Sequence, residues 1–179
     1  NAVLIGDYDQ AIKGYNQVLE NDPAMPYFAA ASLGKARAYY YKNDYKTCQN
    51  EIIDALNQIS DDSYKANLWY QMADCVHELE LFDEETNALQ EFLKIRPDSF
   101  TKTDVYKRIG DNLFNSQAYT DARQAYLLSV EGFTVGESAW TWMNIAETHA
   151  MEEDYTTALQ IWFDIFNSTS NETLKANID

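Results

Sequence analysis

A chain of 179 residues, 46% of them hydrophobic, can bury one continuous core, and with only 3 Pro and 6 Gly it offers no linker at which to divide. A formal net charge of −16 excludes a nucleic-acid partner, whose phosphates need Lys and Arg to displace counterions, and disfavours anionic membrane surfaces. No apolar run approaches the ~20 residues that a membrane helix needs, so membrane insertion is not expected. In chain order, Asn1–Ile5 reads as the last turn of a first helix that starts outside the chain. Tyr8, Ala11 and Tyr15 then mark the inner face of a second helix, stopped at Pro23 as a proline past a helix end does. Pro26 is placed to begin a longer first helix in the next hairpin, so each hairpin is expected to have one long and one shorter arm. Five hairpins follow from this reading, at about 1–24, 25–60, 61–98, 99–134 and 135–167. Ser170–Ile178 carries capping residues and an apolar spacing that predict the start of a further helix over 168–179.

The hairpins are copies of one pattern. The aromatic opening each second helix is Tyr8, Tyr45, Phe82, Tyr119 and Tyr155, at steps of 37, 37, 37 and 36 residues. Three residues later stand Ala11, Cys48, Glu85, Ala122 and Ala158, four of them small. Four further on, the large inner residue is Tyr15, Ile52, Leu89, Tyr126 and Trp162. The first helices carry a small crossing residue at Ala36, Ala73, Gly110 and Ala146, where close packing of two helices needs one. Repetition at this period is the mark of a solenoid. The spacing predicts an all-α, right-handed α-α superhelix of about nine helices from Tyr8 to Phe166, with turns near Asn43, Glu80, Gln117 and Glu153. The whole of 1–179 reads as a single array, cut from a longer one. Apolar residues exposed at its cut ends, near Leu4 and Ile5, would favour self-association.

Over Asn1 to about Phe166 this pattern resembles the tetratricopeptide repeat family. Trp69 and Trp142 fall on the family's tryptophan, Tyr39 on its first-helix tyrosine and Ala55 on the later alanine of its second helix. The chain departs from the family at Glu85, at Ser60 and Thr134 where proline would stand, and in its longer period. That longer repeat is similar to those of bacterial envelope proteins of the outer-membrane assembly and Tol–Pal types. The resemblance implies a binding scaffold. Some relatives grip a chaperone C-terminus with a carboxylate clamp of Lys and Asn. Here Asp74 and Asp111 occupy amide positions of that clamp and would repel a terminal carboxylate.

Catalytic constellations are absent from the sequence. His77 and His149 lie two hairpins apart with no nucleophile and orienting acid beside them. There is no glycine-rich phosphate loop, and Asp83–Glu85 suits the first turn of a helix rather than a calcium loop. The reading is a non-enzyme without cofactor or metal. Cys48 at a small position acts as a compact hydrophobe and Cys75 lies one hairpin along. Two buried free thiols are expected, with a single bridge left open, and both a cytoplasmic and a bacterial periplasmic location fit.

In a solenoid of this kind the first helices line the concave side. Trp69, Met72, Ala73 and Val76 face the partner helix, so the opposite stripe faces the groove. By phase that stripe includes Leu33, Arg37, Tyr40 and Tyr41, then Tyr70, Gln71 and Asp74. It continues through Lys107, Arg108, Asp111 and Phe114 to Trp140, Met143, Asn144 and Glu147. Tyr40 and Met143 are the ones that a one-position error would return to the core. Aromatic anchors beside amides suit an extended peptide, and Asp74, Asp111 and Glu147 favour a basic one. Trp140, two residues before Trp142, is turned about 200° away from the packed face. It is the expected exposed anchor, with Trp69, Trp142 and Trp162 buried. The function expected is a protein- or peptide-binding scaffold. The competing reading is a structural, sensory or oligomerising segment that regulates a domain outside this chain.

Overall fold

A computed structural model describes residues 7–21 and 27–168. Among these the chain forms nine helices and no strand. They are α1 (Tyr8–Asn21), α2 (Phe28–Tyr41), α3 (Tyr45–Gln58), α4 (Asp62–His77), α5 (Phe82–Ile95), α6 (Lys102–Asn115), α7 (Tyr119–Ser129), α8 (Ala139–Met151) and α9 (Tyr155–Ser168). The expected helix-end residues Asn1–Ile5, Pro23, Pro26 and Ser170–Ile178 lie outside the described residues. The chain forms two compact units, Asn1–Asp98 with α1–α5 and Ser99–Asp179 with α6–α9.

Four hairpin turns share one backbone solution. Asn43, Glu80, Gln117 and Glu153 all take positive φ, between 59° and 65°. Each is followed by an amide that reaches back five residues to close the preceding helix. These amides are Asp44 N–H to Tyr39 O, Leu81 to Val76, Ala118 to Leu113 and Asp154 to His149, at 2.9–3.0 Å. The last turn of each first helix thus gains partners for its free carbonyls, and the chain reverses within three or four residues. Asp44 and Asp154 then cap the following helix by accepting from Thr47 N–H and Thr157 N–H. Hydrogen bonding from Thr157, by its hydroxyl first and its N–H second, holds the Asp154 carboxyl below its usual range. The two arms are of similar length, with first helices of 14, 16, 14 and 13 residues and most second helices of 14. The longer first arm expected in each hairpin is formed in two of the four, α4 against α5 and α6 against α7, and not in the other two. The additional residues of the repeat also go into connections such as 130–138, between α7 and α8.

Burial follows the repeat. Ala36, Ala73 and Ala146, and Cys48, Ala122 and Ala158 on the second helices, are fully buried, as are Ile52 and Leu89. Glu85, the exception at the small position, is also buried and accepts from or pairs with His77 Nδ1 at 2.8 Å. A buried carboxylate is costly unless bonded, and His77, half-exposed at the helix end, supplies that bond.

The cysteines correct the thiol expectation. Cys48 of α3 and Cys75 of α4 are joined in a disulfide, with Cα atoms 6.3 Å apart and both side chains fully buried. One bridge therefore clamps consecutive hairpins of the first unit. It closes a loop of 27 residues, which by the chain-entropy relation stabilises the fold by about 3–4 kcal/mol. Reduction is expected to lower the urea unfolding midpoint by that equivalent. Non-reducing mass spectrometry should find no free thiol, and two titratable thiols in the unfolded, unreduced chain would show that the bridge does not form.

Candidate functional site

In the second unit the site is built on α6 and α8, with α7 behind them. Tyr126 of α7 is the key to its geometry. Its ring lies across Gly110, where an added Cβ would stand 2.5 Å from a ring carbon. The small residue of α6 therefore admits the tyrosine ring as well as a close approach to Ala122. So placed, the Tyr126 hydroxyl donates to Asp111 Oδ1 at 2.9 Å. Burial, reinforced by the Asp111 carboxylate, pushes its pKa far up, so the phenol stays protonated as a donor. Asn144 Nδ2 of α8 donates to the same oxygen at 3.3 Å, and Lys107 Nζ donates to Oδ2 at 3.2 Å. Asp111 is thus a hub joining three helices rather than a bare charge in an open groove.

Beside that hub the surface opens. A hollow of about 240 Å³ is bounded by Thr103, Asp104 and Lys107 of α6, Phe133, and Trp140 at the start of α8. Trp140 is 53% exposed, whereas Trp69, Trp142 and Trp162 are half-buried rather than fully buried. Glu147 is exposed and Arg108 half-buried. Phe114 and Met143, assigned to the groove by phase, instead pack against core clusters around Tyr126 and around Ala139 and Ile165.

In the first unit the predicted residues are partly drawn together. Arg37 Nε donates to Gln71 Oε1 at 3.2 Å. This is the same rung as Asp111–Asn144: the residue after a crossing residue meets the one two before the next. Gln71 is itself buried, so it supports the surface rather than lining it, and Leu33 is likewise core. Tyr70 turns edge-on to Phe92 of α5 at 5.3 Å. Tyr41 is exposed but stacked on Tyr8 at 6.1 Å, and Asp74 is half-buried. Tyr40 packs edge-on to Tyr41 and against Tyr45.

Sequence reasoning missed two participants. Tyr126 was read only as an inner-face residue. The signal for its second role is the pairing of Tyr with Gly, which recurs as Tyr15 lying across Gly34. Phe133 sits in a connection and carries no periodic signal.

The sequence model of the tetratricopeptide repeat-like domain matches residues 1–147. The chain belongs to this family. Among solved structures it is similar to YrrB, described as a tetratricopeptide protein with an unusual peptide-binding site. That match has 20% identity and a TM-score of 0.74, covering 98% of this chain and 85% of that one. It is also similar to MamA, at 17% identity and a TM-score of 0.73, covering 98% and 95%. A tetratricopeptide repeat protein from Parabacteroides merdae matches at 17% identity and a TM-score of 0.71, covering 93% and 62%. No curated protein matches in sequence. The tetratricopeptide-like fold, an all-α solenoid of helix hairpins, implies a protein–protein interaction scaffold, and such proteins are typically non-enzymatic. Among the described residues no group of three or more His, Cys, Asp or Glu could hold a metal, and no helix is long and apolar enough to cross a membrane.

The Tyr126–Gly110 crossing has a direct consequence. Gly110→Ala should overpack it and destabilise the chain by about 1–3 kcal/mol, while weakening the Tyr126–Asp111 bond. Urea unfolding measures the first effect, and an upfield-to-downfield change in the Tyr126 hydroxyl environment by NMR the second. An unchanged midpoint would mean that the ring does not rest on Gly110.

Proposed function

We propose that the chain is a non-enzymatic scaffold that binds an extended peptide, basic in character, on its first-helix faces. The second unit holds the principal site. The observation that carries this is Trp140, 53% exposed at the edge of a hollow and next to a fixed polar hub. A tryptophan held by a helix loses ordered water when covered and forfeits little entropy, which makes it a strong anchor. Lys107, Asp111 and Asn144 are held rigidly by one another, so their remaining donors and acceptors are pre-organised for a peptide backbone. Asp104, Glu137 and Glu147 outnumber Lys107 around them and favour a Lys- or Arg-bearing ligand. In the first unit, Arg37, Tyr41, Tyr70 and Asp74, with Gln71 behind Arg37, form a lesser site of the same type. The buried Cys48–Cys75 bridge suits an oxidising compartment, which favours the periplasmic over the cytoplasmic location.

One observation supports a second activity, self-association. Tyr155, Leu159 and Phe163 recur along one side of α9, each about 60% exposed. An exposed apolar stripe of this kind marks a surface that another protein surface can cover. If it mediates assembly, Leu159→Asp should convert a concentration-dependent sedimentation coefficient to a constant monomeric one. A wild-type chain that is monomeric at all concentrations would dismiss it.

For the main proposal, Trp140→Ala should weaken binding of a basic extended peptide by about 2 kcal/mol or more, without changing the circular dichroism spectrum. Raising the salt concentration should weaken it further. Calorimetry showing equal affinity for both chains would place the site elsewhere.

A further inference from the structure

A hollow larger than the one beside Trp140 lies in the first unit, on the other side of α4 from Gln71, Asp74 and Glu78. It has a volume of about 510 Å³, within the range of sites that enclose a ligand group. Its floor is Trp69 and Met72 of α4, and Ile53 and Leu56 of α3 form one wall. The opposite wall is α5, and Ala88 explains why space exists there. In the fifth hairpin the equivalent residue is Ile161, which packs against the same core clusters as Trp142, the equivalent of Trp69. Alanine in place of isoleucine leaves open the space beside Trp69 that a longer side chain would take.

The rim is equipped for a chain in extended form. Asn57 on α3 and Asn87 on α5 stand on facing walls, and among the described residues neither side chain has a hydrogen-bond partner. Two such amides can each take one N–H and one C=O of a peptide backbone, as an internally bonded helix could not use. Glu84 and Glu91 lie seven residues apart on α5, about 10 Å along its axis; Lys65 lines the facing wall, and Glu91 also pairs with Lys94 at the solvent edge, a cation that a bound peptide would replace. An extended peptide covers that distance in about three residues. The walls are also fixed in advance: the Cys48–Cys75 disulfide ties α3 to α4, and Gln49 Nε2 donates to Glu84 Oε2 at 2.8 Å between α3 and α5. Pre-organisation of this kind lowers the entropy lost on binding.

We propose that this hollow is a second peptide site, separate from the one at Trp140. It takes an extended segment whose single large apolar side chain, Leu, Phe or Trp, enters over Trp69. Lys or Arg residues about three positions apart flank that side chain and meet Glu84 and Glu91.

The test is a displayed library of random short peptides selected on the whole oxidised chain, with the enriched sequences synthesised and titrated by fluorescence anisotropy. The expected winners carry one large apolar residue between two basic ones. Their affinity should fall about tenfold or more in Ala88→Ile, whose longer side chain takes up space in the hollow. It should also fall in the Asn57→Ala/Asn87→Ala double variant, whose two side chains are exposed and outside the core, and stay within about twofold in Trp140→Ala. Circular dichroism confirms that each variant is folded. Three results would overturn the proposal. One is no enriched class, or enrichment of apolar peptides without flanking bases. Another is winners lost on Trp140→Ala but retained by Ala88→Ile, which would leave the Trp140 site standing alone. The third is an effect of Ala88→Ile on sedimentation only, which would make the occupant a second copy of the chain.

Discussion

The close crossing of each first helix with the second helix behind it is the constraint on which the rest of the structure depends. Two helices approach closely only where side chains are small, and this chain supplies Ala36, Ala73, Gly110 and Ala146 for that purpose. At Gly110 the space is taken by the Tyr126 ring, and the ring's hydroxyl then emerges beside Asp111. Removing the Cβ at one position in the core thereby sets the position of a polar group at the surface. Asn144 and Lys107 complete the same carboxylate, so the local surface inherits the precision of the packing beneath it.

The small position on the second helix shows how one steric requirement can be met by different chemistry. Ala11, Ala122 and Ala158 meet it with a methyl group. Cys48 meets it with a sulfur that is also covalently joined to the next hairpin. Glu85 meets it with a buried carboxylate whose cost is offset by His77 from the end of α4. The two polar solutions both lie in the first unit, where they add links that alanine cannot make.

Variation between copies also determines where the surface is open. At the position where the fifth hairpin has Ile161 the third has Ala88, and a hollow lies beside its tryptophan. At the start of α8, Trp140 stays exposed while Trp142, one turn face away, joins the core. Binding capacity in a repeat protein arises from such departures, because residues that keep the pattern are consumed by packing.

The sequence by itself determined the repeat: the helices, the small crossing residues and the four turns, whose centres all lie in the left-handed region. These are local or periodic properties, and each is repeated often enough in one chain to be read without coordinates. The exposure of Trp140 was also legible, because 200° of helical rotation separates it from Trp142. Other features rest on distances between helices, which no spacing encodes. Phase alone placed Phe114, Met143 and Leu33 in the groove, but a helix between two neighbours buries more than half its circumference, and all three are taken up by packing. The Cys48–Cys75 bridge, the Tyr126 hydroxyl on Asp111 and the hollow over Trp69 were decided only by the tertiary structure. Each depends on residues from separate helices meeting within a few ångströms, and only the packed helix axes set that separation.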